Sequence, residues 1–130
     1  MNPGSLLLSV GAISLGASIG AVLRWLLAVR FNPLWTPVPL GTLAANLVGG
    51  YCIGLILGWL GNHPEMPAEV RLFLVTGLMG GLTTFSTFSA EVVTHLHNGR
   101  LAWALAIAVT HVAGSLVLTA LGLATVRALS

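Results

Sequence analysis

The sequence contains no lysine and no aspartate, and its formal charges come down to five arginines and three glutamates. Only 6% of its 130 residues are charged, against about 25% in an ordinary soluble domain. That scarcity excludes a water-facing surface of normal extent. With no cluster of basic side chains it also excludes a nucleic-acid partner. A single cysteine, Cys52, excludes an intramolecular disulfide and reads as a small apolar filler in a helix. Catalytic triad, phosphate loop and metal-binding Cys/His cluster are all missing, so the chain is not read as an enzyme. His95 and His97 are two residues apart, do not share a helix face and make a poor metal pair. No basic run precedes the first apolar stretch, so Leu6 onward is read as a retained span rather than a cleaved signal peptide.

What is present is apolar. Hydrophobic residues make up 56% of the chain and the mean hydropathy is +0.97. No formal charge falls between Arg30 and Glu65, or between Arg100 and Arg127. Each gap holds a helix of about 20 apolar residues, enough to cross a hydrocarbon core of about 30 Å. The chain is therefore expected to be an all-α membrane protein, one domain over residues 1–130. Its four transmembrane helices are expected at about 6–29, 40–60, 68–97 and 101–126. Pro33, Pro37 and Pro39 mark the first connection, with Trp35 as an interfacial anchor. Pro64 and Pro67 mark the second, and Glu69 suits the first turn of the helix that follows. Gly16 and Gly20 in the first span, and Gly50, Gly54 and Gly58 in the second, recur every four residues. Such stripes let another helix backbone approach closely.

The third span is unusual. Gly77, Gly80 and Gly81 are followed by Thr83, Thr84, Ser86, Thr87 and Ser89 in the middle of an apolar stretch. Glycine weakens a helix by about 1 kcal/mol per residue, and Thr and Ser compete for its backbone hydrogen bonds. Both predict a break in the helix near 77–84. Amide and carbonyl groups freed by such a break cannot stay unpaired in lipid, and need a protein neighbour, water or an ion.

Other polar residues lie at membrane depth. Asn46 in the second span offers two N–H donors, to an anion or to a neighbouring helix. His111, Ser115 and Thr119 are four apart and form one polar stripe along the fourth span, suited to a file of anions or waters, or to interhelical bonding. Phe85 and Phe88 are three apart and face one side of a helix, where ring edges can meet an anion. Glu91 is expected as a solvated carboxylate near the membrane surface. Arg24 and Trp25, near the end of the first span, fit the interfacial belt, with Arg24 snorkelling to the headgroups.

Four spans put both termini on one side, together with Arg71 and Arg127, while Arg24, Arg30 and Arg100 fall on the other. Two against three gives the positive-inside rule little to act on. The tally admits insertion in both orientations, hence an antiparallel pair, and also a single orientation decided by one arginine.

The runs Gly20–Trp25, Gly41–Gly50 and Gly80–Ser89 resemble those of the Fluc (CrcB) fluoride channels, and the resemblance extends over nearly the whole chain. It implies a dual-topology antiparallel homodimer in the bacterial inner membrane that exports fluoride passively and so protects against its toxicity. It further implies a structural, untransported sodium ion held by the main-chain carbonyls of Gly80 and Thr83. By the same resemblance the fluoride pathway comprises Asn46, Phe85, Phe88, Thr84, Ser86, His111, Ser115, Thr119 and Glu91, and Arg24 matches the arginine closing the first span. This chain departs from some relatives in carrying His111 where they have Ser, and Ile107 where they have Tyr. Two other classes compete. A small multidrug-type dimeric exporter needs a carboxylate inside the first span, and there is none. A non-transporting scaffold accounts for the glycine stripes but not for Asn46, the hydroxyl run and the polar stripe together.

Overall fold

The computed structural model describes residues 3–130. Met1 and Asn2, part of the expected 1–130 domain, lie outside the described residues. The chain order is α1 (Pro3–Phe31), a 3₁₀ turn (Asn32–Leu34), α2 (Leu40–Asn62), α3 (Ala68–Arg71), a π-helix (Leu72–Met79), α4 (Gly80–Leu82), α5 (Phe85–His97) and α6 (Leu101–Leu129). No strand occurs among the described residues. Four stretches are long and apolar enough to cross a membrane: Pro3–Leu34, Leu40–Asn62, Ala68–His97 and Leu101–Leu129. They contain the expected spans, and all but the third run further at one end or both.

The helix ends follow local chemistry. Pro39 precedes α2 and offers no side-chain cap. Asn32, back in the 3₁₀ turn, does the capping instead, its Oδ1 accepting from the amides of Gly41 (2.7 Å) and Thr42 (3.1 Å). Two amides that a helix start leaves without partners are thereby satisfied. Between α5 and α6 the chain reverses through Gly99 at φ 68°, the left-handed conformation that a Cβ disfavours.

Two glycine seams set the packing. Along the first, Gly16 and Gly20 of α1 lie against the backbone of Gly77, Leu78 and Gly81, and Gly77 and Gly81 lie in turn against Ile13 and Ala17. Along the second, Gly50, Gly54 and Gly58 of α2 lie against Ser115, Thr119, Gly122 and Val126 of α6. Helices in lipid gain little from hydrophobic burial against one another, so close backbone approach through small residues is what holds such pairs. The buried apolar side chains accordingly form two small clusters, Val38–Phe88–Ile107 and Ala45–Met79–Leu82. Large apolar side chains such as Leu7, Leu8 and Leu116 point outward, as a lipid solvent requires.

Candidate functional site

The site begins with the interruption of the third span. Ahead of it the backbone runs as a π-helix, a wider coil that recurs at functional positions. After Leu82 two residues are extended: Thr83 (φ −84°, ψ 157°) and Thr84 (φ −148°, ψ 122°). Helix resumes at Phe85, with Thr84 as its N-cap and the Thr87 amide donating to Thr84 Oγ1 at 3.1 Å.

The backbone groups around the interruption find specific partners. The Thr84 amide donates to Asn46 Oδ1 (2.8 Å), and Asn46 Nδ2 donates to the Thr84 carbonyl (2.9 Å). One side chain thus pairs both polar groups of an extended residue, as a neighbouring strand would. The Gly81 carbonyl accepts from Arg24 Nε at 3.0 Å. The guanidinium therefore turns inward to the freed carbonyl and not out to the headgroups, correcting the expectation of snorkelling. The Gly80 and Thr83 carbonyls are likewise deprived of their helical amides. The amide due to Gly80 has gone to Asn46, and the one due to Thr83 has gone to the Thr84 hydroxyl.

Asn46 also fixes His111. Its Nδ2 lies 2.9 Å from His111 Nδ1. The pairing with Thr84 allows only one orientation of the carboxamide, so Nδ2 is the donor here and Nδ1 the acceptor. In the neutral imidazole the proton is then on Nε2. His111 is buried, and its ring stacks on Phe88 with centroids 4.7 Å apart and planes at 24°. Both Nδ2 hydrogens of Asn46 are taken up in these bonds. Of the two readings left open for Asn46, these bonds are of the kind that joins neighbouring elements, and they hold the interruption together.

Phe85 and Phe88 meet edge to face at 5.4 Å, yet they differ in setting. Phe88 is packed among Val38 and Ile107, whereas Phe85 is 76% exposed. Ile107 is a core residue of the same cluster.

A cavity of about 540 Å³ opens beside the interruption. Asn46, Thr84, Phe85, Phe88 and His111 line it, together with Ser115 and Thr119 from α6 and Gly80 and Thr83 from the third span. Ser86 and Glu91 do not line it. Ser86 sits on the exposed side, its Oγ 3.4 Å from Thr84 Oγ1. Thr119 donates its hydroxyl to the Gly50 carbonyl at 2.9 Å, so this member of the polar stripe also bonds α6 to α2. Glu91 is not the solvated surface carboxylate expected of it. Its Oε2 is buried without a partner, and its polar neighbour is the buried hydroxyl of Thr42. Thr42 is a site residue that sequence reasoning passed over, although it stands four before Asn46 on the same face of α2.

Residues 11–123 match the family described as "CrcB-like protein, Camphor Resistance (CrcB)". The chain is 57% identical over 124 residues to the fluoride-specific ion channel FluC of Tolumonas auensis, covering 95% of this chain and 98% of that one. It is 57% identical over 111 residues to the protein of the same name from Thiobacillus denitrificans, covering 85% and 90%. With the Burkholderia pseudomallei protein of that name it shares 53% over 120 residues, covering 92% and 94%. With matches of that extent, four helices of membrane-spanning length and apolarity, and the interrupted third span on the page, the chain belongs to the CrcB-like family.

Proposed function

We infer that this multi-pass membrane protein is a fluoride-specific ion channel that lets fluoride leave the cell passively and so protects it from fluoride toxicity. The observation that carries this reading is the 57% identity, across 95% of the chain, to a relative named as such a channel. The chemistry of the cavity agrees. Fluoride is small and strongly hydrated, so a pore must replace its water with hydrogen-bond donors, without a fixed cation that would trap it. Ser115 Oγ, the Nε2–H of His111 and the ring edges of Phe85 and Phe88 are available for this. Asn46 shapes the route and Thr84 forms its wall. The exporter alternative finds no support, since α1 holds no carboxylate.

The working unit is an antiparallel homodimer in the bacterial inner membrane. Gly80 is exposed on a single copy, and a polar backbone facing lipid is costly, so a second copy covers that face. The tally of Arg24, Arg30 and Arg100 against Arg71 and Arg127 is close to even, which leaves room for insertion in both orientations. A structural sodium ion fits the carbonyls of Gly80 and Thr83, hard oxygen donors that lack their helical amides. It would supply the positive charge those carbonyls miss and tie the two copies together.

The test is ion efflux from liposomes containing the purified protein. Fluoride leaves far faster than from empty vesicles while chloride is retained. Equal fluoride rates with and without the protein would sink the channel reading.

A further inference from the structure

The glycine seam between α2 and α6 does not stay closed along its length. A Cβ on Gly54 would run into the backbone of Thr119 and Gly122, and one on Gly58 would meet the side chain of Val126 at 2.9 Å. Gly61 lies three residues further along the same face, and a Cβ there would meet nothing within 4 Å. The two helices therefore part over their last turns. The gap is a cleft of about 270 Å³, lined by Leu57 and Gly61 of α2 and by Leu123 and Val126 of α6, with Asn62 and Arg127 toward the helix ends. Asn62 Nδ2 donates to Ser130 Oγ at 2.9 Å, so both helices end at the same membrane surface. Both are of membrane-spanning length, which sets the cleft where hydrocarbon gives way to headgroups.

The charge in this cleft is of one sign. Arg127 is its only charged side chain, and none of the three glutamates lines it. Helix C-termini are themselves negative, but at the end of α2 the Leu60 carbonyl already accepts from Arg71 Nη2 (3.4 Å) and from the His63 amide (3.2 Å). Arg127 is exposed, and the planar fork of a guanidinium matches the oxygens of a phosphate. An apolar wall beside a surface arginine presents the two chemistries of a phospholipid, acyl chain and anionic headgroup, in their natural order of depth.

We propose that this cleft binds an anionic phospholipid, its phosphate on Arg127 and its acyl chain against Leu57, Leu123 and Val126. The cleft shares no residue with the cavity beside the interrupted third span, and lipid binding there does not depend on which ion that cavity passes.

The experiment titrates full-length protein in detergent with phosphatidylglycerol or phosphatidylcholine of identical acyl chains, and counts bound lipid by native mass spectrometry. Wild type holds one phosphatidylglycerol per chain about fivefold more tightly than phosphatidylcholine, the ratio one arginine at a membrane surface supplies. Arg127→Gln brings the two lipids level. Gly61→Leu fills the cleft and removes the tightly held lipid of either kind, while the oligomeric state on size exclusion is kept. Equal affinities in wild type, or an Arg127→Gln protein that keeps the preference, would overturn the proposal. So would a Gly61→Leu protein that retains the lipid, or one that loses its oligomer, since a second copy would then be what covers the cleft. Displacement of the lipid by excess inorganic phosphate would make Arg127 a plain anion site and overturn it equally. Should Gly61→Leu fail to fold, Arg127→Gln, at an exposed helix end, decides.

Discussion

The third span touches the rest of the protein on two sides that differ in kind. Toward α1 it presents Gly77 and Gly81 to Gly16 and Gly20, backbone against backbone, with no room for a Cβ. Toward α2 and α6 it presents Thr83, Thr84 and Phe88 to Asn46, His111 and Ser115 around an open cavity. The first contact gains its strength from closeness and tolerates nothing added. The second leaves space and unfilled polar valences, which an ion or water can use. A small membrane protein thus separates the surface that holds it together from the surface that does its chemistry, within one helix.

Five substitutions, set against a control at Gly11, would break or sharpen that contrast. The largest effect is expected on the closed side. A Cβ at Gly20 would meet the backbone of Leu82 and Gly81 at 2.6 and 3.0 Å. Overpacking usually costs about 1–3 kcal/mol, and backbone atoms cannot move aside as side chains do. Gly20→Val therefore yields no monodisperse protein on size exclusion, while Gly11→Val, with nothing within 4 Å, does. On the open side, Asn46→Leu strands the amide and carbonyl of Thr84. A loss of about 3 kcal/mol is expected in thermal unfolding, together with loss of fluoride efflux. Arg24→Gln removes the guanidinium bond to Gly81 and costs about 2 kcal/mol in the same unfolding assay. Phe85→Ile slows efflux about tenfold and leaves the unfolding midpoint in place, since ring-edge contact is lost from a mostly exposed side chain. Smallest is Thr119→Val, which removes one interhelical hydrogen bond and lowers stability by about 0.6 kcal/mol. A large drop in flux there, beyond the change in stability, would move Thr119 from the holding surface to the conducting one.

Much of this was legible in the residues. The apolar runs between Arg30 and Glu65 and between Arg100 and Arg127 can only be membrane helices, because bilayer thickness sets their length. The four-residue glycine spacings announced close helix contacts. The Gly-Gly and hydroxyl run drew attention to residues 77–84, and the extended residues turn out to be Thr83 and Thr84. Partners were another matter. Arg24 looked interfacial because a charge near a span end usually is, yet a carbonyl far along the chain accepts its hydrogen bond. Glu91 looked solvated for the same reason, and the burial that overturns this comes from α2. His95 was read only as half of a poor metal pair with His97, and its burial was out of reach because spacing along one helix reveals faces but not what covers them.

The sequence by itself determined that this chain lives in lipid, crosses it four times and concentrates its polar residues at and after the glycines of the third span. Composition and periodicity act locally, and a bilayer reads them without reference to the fold. Only the tertiary structure decided which polar groups satisfy one another. It paired Asn46 with Thr84 and His111, drew Arg24 inward to Gly81, and buried His111 Nε2, Glu91 Oε2 and His95 Nδ1 without a hydrogen-bond partner. Hydrogen bonds are short and directional, so their partners are chosen by how helices far apart in the chain come to rest against each other.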